Sequence, residues 1–408
     1  MRISSSQYFN LNVSSMSDQQ STLATMYQQI SSGKRISSAS DDPLGAAQAV
    51  TLTMQSGALS QYGTNQTQAL SSLQQEDSTL SDVSNVMQSV QTQIIHAGDG
   101  SLTDADRSSI ATVLQGYRDQ LMNLGNTQDT NGNYIFSGTK GGSAALTNNA
   151  SGVGASYDGD LGQRTVQINS SRTVSVGDTA ASIFQSVSAT ESSSVPSATT
   201  GNAGTGVISA VSMNDSTNTS NSSTFKINFA VSGGATTYTV TTTPPGTTSA
   251  AQAFTAGSKI TLGGQSVQIS GAPANGDSFN VQPAASGNTD VFTTLDNLIS
   301  ALKQPLTGSS TAQATLSNAL ATAGTQIGNS LNNVLAMQTS VGGREQQVQA
   351  AQTALTTSQT QNKSDLANLT SIDLVSSISS YELTQNSLQA AQMAFSQIQK
   401  MSLFNYLS

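Results

Sequence analysis

Leu73-Gln-Gln-Glu-Asp-Ser-Thr-Leu80-Ser-Asp-Val83-Ser-Asn-Val-Met87-Gln-Ser-Val90-Gln-Thr-Gln-Ile94 sets Leu73, Leu80, Met87 and Ile94 seven residues apart, with Val83 and Val90 in the intermediate register. A second comb, Val334, Val341, Val348, Leu355 and Leu369, keeps the same spacing and is interrupted by Asn362. A seven-residue repeat holds one seam against a partner helix over many turns. The two combs lie more than 200 residues apart, so the two ends of the chain are expected to meet each other or a neighbouring subunit. Such a chain predicts a rod rather than an enzyme pocket.

Outward from the first comb, Ser40-Asp41-Asp42-Pro43 reads as a helix start, with Pro at the first helical position. A helix is predicted from Pro43 to about Ala97, where Gly98-Asp99-Gly100 stops it. At about 1.5 Å per residue it is roughly 80 Å long. Thr103 and Asp106 form a capping-box pattern ahead of Ile110, Leu114, Tyr117, Leu121 and Leu124, with Gly125 as C-cap. Asp129 to Asn133 reads as a turn and Tyr134-Ile135-Phe136 as a short strand. Before the rod, Leu23, Tyr27 and Ile30 stripe a short amphipathic helix too weak to stand alone.

From about 150 to 288 the period changes to two. Alternating runs at 164–168, 172–176, 224–229, 238–241, 259–262, 266–269 and 278–281 are bounded by Gly, Pro or Asn and predict antiparallel β-structure. Helix resumes near Asp290, pauses at Pro305, restarts by about Thr311 and runs on, with Gly342-Gly343 as its expected interruption. Past Leu369 the stripe includes Ile372, Val375, Leu388, Phe395 and Ile398, followed by the apolar end Leu403, Phe404, Tyr406 and Leu407. The predicted fold class is mixed α and β, segregated: a long coiled-coil rod built from both termini, carrying an inserted all-β domain. Its expected divisions are 1–45 with 370–408 (terminal), 46–149 with 289–369 (rod), and 150–288 (β, as one or two subdomains).

Composition narrows the function. Of 408 residues only 9% are charged, against about 25% in an ordinary soluble domain, and the net charge is −9. Without a basic cluster neither nucleic acid nor an anionic membrane is a fitting partner. A sparsely charged surface suits dense packing of like subunits. There is no Cys, so disulfides and thiolate sites are excluded, and no apolar leader stands at the N-terminus. His96 is the sole histidine and has no triad or metal partner of its own kind. Asp129, Asn131 and Asn133 imitate a calcium loop, yet Tyr134 and Lys140 occupy its glycine and glutamate positions. Ser31-Ser32-Gly33-Lys34 and Ser137-Gly138-Thr139-Lys140 lack the companion motifs of a serine acyl-transfer enzyme. No catalytic, cofactor or metal site is predicted. The expected functional residues are subunit-packing ones: Leu23, Tyr27, Ile30, Ile372, Val375, Leu388, Phe395, Ile398, Leu403, Phe404, Tyr406 and Leu407. An exposed apolar end on a hydrophilic chain marks an interaction surface.

Met1-Arg2-Ile3-Ser4, the run Ile30-Ser31-Ser32-Gly33-Lys34-Arg35-Ile36 and Ser40-Asp41-Asp42-Pro43 together resemble the N-terminal signature of the bacterial flagellin superfamily. The same opening Met1-Arg2-Ile3-Ser4, the segment Gly132-Asn133-Tyr134-Ile135-Phe136-Ser137-Gly138 and the ending Ser402-Leu403-Phe404-Asn405-Tyr406-Leu407 point to its hook–filament junction branch. The resemblance covers about 1–145 and 290–408. It implies a structural adaptor, a ring of subunits joining a hook-side junction protein to flagellin. It also implies terminal helices that are disordered in the free subunit and order on assembly. Export without a cleaved signal, with a chaperone as partner, and a final place on the extracellular flagellum follow from the same resemblance. The alternatives are a flagellin-type filament subunit and, from another class, an adhesin or glycan-binding module in the β insertion.

Overall fold

The structure, a computed structural model, describes residues 5–188 and 192–406, with side chains from 7 to 188 and 192 to 397. Three helices come first: α1 (Ser5–Ser32), α2 (Pro43–Ala97) and α3 (Asp104–Gly125). The hairpins β1 (Leu146–Asn148) with β2 (Ala155–Tyr157) and β3 (Thr165–Gln167) with β4 (Thr173–Ser175) precede the short α4 (Ala180–Phe184). Ten strands follow: β5 (Val195–Ala198), β6 (Val207–Ile208), β7 (Ser212–Met213), β8 (Thr224–Ser232), β9 (Ala235–Thr243), β10 (Thr247–Thr248), β11 (Gln252–Ala253), β12 (Lys259–Leu262), β13 (Gln265–Ser270) and β14 (Ser278–Gln282). The chain closes with α5 (Val291–Leu302), α6 (Ser310–Thr370) and α7 (Leu374–Tyr406). Mixed, segregated α and β is thus the architecture that the two periodicities predicted. The chain divides into two compact units, Met1–Thr64 with Ala351–Ser408, and Asn65–Ala350.

Within Asn65–Ala350, α2 and α6 run antiparallel: a Cβ on Gly324 would lie 3.7 Å from Ile94, and one on Gly328 3.7 Å from Gln91. The first comb from Leu73 to Ile94 and the valines Val334, Val341 and Val348 are all buried. Beside them α3 packs on α5, pinned by Arg118, whose Nε and Nη2 reach Asp296 at 2.6 and 3.1 Å. The Asp296 carboxylate also accepts the Gly154 N–H at 2.8 Å, so one buried ion pair ties two helices to the turn between β1 and β2.

The β insertion forms a six-stranded antiparallel sheet in the order β10-β9-β8-β14-β5, with β11 also on β9. A four-stranded sheet, β12-β13-β6 with β7 on β13, shares its core. Phe225, Ile227, Phe229, Phe279 and Val281 of the first meet Ile208, Ile260, Leu262, Val267 and Ile269 of the second. The β8–β9 hairpin turns on Gly233 and Gly234, both at positive φ (59° and 82°), a two-residue turn whose twist matches its strands.

A row of polar side chains on α6 fastens this insertion. Asn318 accepts the Ile208 N–H and donates to the Gly206 carbonyl, each at 2.9 Å. Thr322 donates to Pro196 O, and Gln326 to Asn288 O. Asn329 both accepts from and donates to the Ser193 backbone at 2.8 Å, and Asn333 donates to Ser182 O. Spaced four, four, three and four, these residues share one helical face. Through Pro196 and Ser193 they cover the outer edge of β5, which would otherwise expose unpaired backbone.

Three local expectations are corrected. Tyr134–Phe136 is a turn with a single bridge from Tyr134 to Gln128, because Phe136 and Ile135 point into the core on a loop ordered by Asp129. Gly125 ends α3 inside the helix, with Asn126 as cap. Its missing Cβ admits Leu146, which a methyl would approach to 2.5 Å. The helix runs unbroken through Gly342-Gly343 and stops instead at Ser371–Asp373, where Asp373 Oδ1 accepts the Val375 and Ser376 N–H groups and starts α7.

Candidate functional site

The unit Met1–Thr64 with Ala351–Ser408 carries the residues singled out for subunit packing. Its corner is built from the flagellin-like motifs. Gly33, at φ 68°, turns the chain out of α1, and Lys34 bridges Ser371 at the α6–α7 break. The Arg35 N–H donates to Thr370 O at 2.7 Å, the Ile372 N–H to Gly33 O at 3.2 Å, and the Arg35 guanidinium to Leu369 O at 3.0 Å. Asp41 accepts the Ser37 and Ser38 N–H groups, and Asp42 accepts the Gly45 N–H at 2.8 Å as the α2 cap. That Gly45 amide holds the Asp42 carboxyl below the usual carboxylate range. Asp41 is therefore committed to backbone, and Asp42 to backbone and to the Arg35 guanidinium at 3.4 Å.

Two helix pairs leave this corner. In the α2–α6 pair Asn362 occupies a buried seam position, and its amide donates to Gln55 Oε1 at 3.3 Å. One polar residue in an apolar seam penalises every shifted register, where it would face apolar neighbours. The interruption of the second comb is thus a register mark. In the α1–α7 pair the half-buried seam positions of α1 are Asn12, Met16, Gln19, Leu23, Met26 and Ile30. Those of α7 are Ser377, Tyr381, Thr384, Leu388, Ala391 and Phe395, where only Leu388 is fully buried. Phe9 and Phe395 meet with ring centroids 5.2 Å apart.

The seam uses only part of the apolar surface. Tyr8, Leu11, Val13 and Tyr27 of α1 are exposed, as are Leu374, Val375, Ile378, Leu383 and Met393 of α7. Leu44, Val50 and Met54 add the same character to the start of α2. An exposed apolar face of this kind is a candidate interaction surface.

The predicted packing residues therefore fall into three groups. Leu23, Ile30, Leu388 and Phe395 sit in the α1–α7 seam, and Ile372 is half-buried at the corner. Tyr27 (65% exposed) and Val375 (79%) lie on the outer face. Ile398, Leu403, Phe404, Tyr406 and Leu407 lie outside the described side chains. The periodic reading missed Leu11, Leu374, Ile378 and Leu383, which stand one step round the helix from the stripe it followed.

Among the described residues no group of three or more His, Asp or Glu gathers to hold a metal, and no helix is long and apolar enough to cross a membrane. The Asp129 turn spends its carboxylate on the Asn131 and Asn133 N–H groups, at 2.8 and 2.9 Å.

Known proteins match at both levels. Residues 3–141 match the bacterial flagellin N-terminal helical region. Flagellar hook-associated protein 3 of Salmonella typhimurium is 30% identical over 404 residues, covering 99% of each chain. The crystal structure of flagellar hook associated protein-3 from Legionella pneumophila is 29% identical with a TM-score of 0.70, covering 78% of this chain and 98% of that one. Flagellin 1 of Proteus mirabilis is 30% identical over 131 residues only, 32% of this chain and 34% of that one.

Proposed function

Because the chain belongs to the flagellar hook-associated protein 3 family, and is a structural component of the bacterial flagellum, we propose that it joins the hook side of the junction to the filament through its terminal helices. The observation that carries this reading is the exposed apolar face of α1 and α7, left over after their own seam is filled. Subunits arranged in a ring bury that face against the same helices of their neighbours. The partners of this reading are further copies of the chain, a hook-side junction protein, flagellin and an export chaperone. The two ends order as they pack, because one half-buried seam is marginal support for two helices of 28 and 33 residues. The chain reaches the outside of the cell without losing an N-terminal segment.

Deleting residues 372–408 tests the reading. Incorporation at the junction should be lost while Asn65–Ala350 stays folded. Truncated subunits that join at normal levels would refute it. Polymerisation of the purified chain alone into long fibres would favour a filament subunit instead, a reading that the short match to flagellin already weakens.

A further inference from the structure

A second feature lies in Asn65–Ala350 and is independent of assembly. Glu76 stands on α2 among the buried residues of the first comb, only 2% exposed. One carboxylate oxygen, Oε1, accepts the Asp178 N–H at 2.8 Å. The other, Oε2, is buried without a protein partner. Beside it is a cavity of about 10 Å³, enough for a single water molecule, lined by Glu76, Asp129, Ile135, Arg164, Val176 and Gly177 among others. Its walls supply what a bound water needs: the open Glu76 oxygen to accept, the Arg164 guanidinium to donate and backbone groups of the β4–α4 loop. Asp178 and Arg344 bear on the carboxyl directly, and Asp129 and Arg164 line the cavity beside it. Asp178 lies after β4 and is ion-paired with Arg344 of α6, which also reaches the Ser175 carbonyl at 3.3 Å. Asp129 comes from the turn after α3, and Arg164 from the lead into β3, held by the Ile135 carbonyl at 2.8 Å. On the same stretch of helix Asp77 faces Glu345 of α6, a like-charge pair.

We propose that Glu76 and this cavity form a proton-linked hydration site that clasps α2 to the loop between β4 and α4, holding tighter when the carboxyl carries a proton. A charged carboxylate here gives up bulk water for one hydrogen bond and one water molecule. The neutral acid loses far less solvation, and its hydroxyl can donate to the water or to Asp178. Burial, then the charge of Asp178, push the Glu76 carboxyl from 4.5 up to about 7. The sign follows. Between those values the folded chain holds a proton that the unfolded chain has released, so folding takes up a proton. The stabilisation is complete below the unfolded value and is lost as pH rises, levelling off above about 7. Within that window the folding equilibrium should weaken by up to about tenfold per pH unit.

The test uses the full chain, with urea midpoints measured from pH 5 to 8.5 for the wild type, Glu76→Gln and Gly177→Ala, and the Glu76 carboxyl followed by carbon-13 NMR. Glutamine keeps the acceptor for Asp178 N–H and removes the charge. It should flatten the decline above pH 5 and exceed the wild type at pH 8. A Cβ on Gly177 would lie 3.4 Å from Arg164 and 3.5 Å from the Ile135 carbonyl, between two walls of the cavity. It should displace the water and move the Glu76 midpoint further upward. Parallel wild-type and Glu76→Gln profiles, a wild-type Glu76 midpoint below pH 5, or a midpoint unmoved by Gly177→Ala would each overturn the proposal.

Discussion

Replacing Asn318 by leucine tests how the β insertion is held. The Asn318 amide imitates a neighbouring strand, since it takes the N–H of Ile208 and the carbonyl of Gly206, both at 2.9 Å. Asn318 is 5% exposed and Ile208 1%, so water has little access to the groups left behind. Leucine keeps the branched skeleton of asparagine and leaves no cavity, so the main loss is of the hydrogen bonds. Each stranded buried backbone group costs about 1–3 kcal/mol, so the pair should cost roughly 2–4 kcal/mol after some relaxation. With a urea slope of about 3 kcal/mol/M, the midpoint should fall by about 1 M. Urea unfolding followed by far-ultraviolet circular dichroism gives the midpoint, and amide exchange at Ile208 reports the site directly. A midpoint within 0.2 M of wild type, with Ile208 still protected, would show that the polar row on α6 is incidental.

Other outcomes follow from the same geometry. Arg118→Met strands the Asp296 carboxylate, itself nearly buried, and should destabilise by about 3–5 kcal/mol, whereas the double change with Asp296→Leu should recover most of the loss in a thermal melt. Gly57→Ala adds a methyl where nothing lies within 4 Å in α2 and should stabilise by about 1 kcal/mol. Gly125→Ala gains the same propensity but drives its methyl to 2.5 Å from Leu146, and overpacking of about 1–3 kcal/mol should make the net effect unfavourable. Limited proteolysis of the free subunit should trim both ends and leave a core from about 45 to 370. Ends that resist as long as the core would contradict ordering on assembly.

The long helices were legible because their information is local and periodic. The comb from Leu73 to Ile94, Asp42-Pro43 at the α2 start and the Thr103–Asp106 box each declare an element without reference to distant chain. The alternating β runs were legible for the same reason, and the longer strands fall where they were expected. What escaped depends on tertiary partners. The strand β5 exists because β14 and α6 flank it, and its Val-Pro-Ser-Ala sequence has no alternation to show. Asn318, Asn329 and Asn333 read as ordinary polar surface of a helix, since the backbone groups they bind are between 110 and 151 residues away. The break at Ser371–Asp373 contains no Gly or Pro. Its signal was the Asp373 cap, which becomes meaningful only beside Lys34 and Gly33. Of the candidate surface, the stripe was visible and its division into inner seam and outer face was not. Two apolar rows on one helix look alike until the partner helix is placed.

In the proposed junction the outer face of the terminal helices, and not their inner seam, joins one subunit to the next. Val375 and Leu383 are 79% and 69% exposed, so glutamate at both positions should leave the fold of the isolated chain intact, with stability changed by no more than about 0.5 kcal/mol each. The direct measurement is the amount of Val375→Glu/Leu383→Glu protein recovered in purified hook–filament junctions, against wild type expressed at the same level. The expected result is a well-folded, exported subunit that is missing from the junction. Normal incorporation of that variant would contradict it.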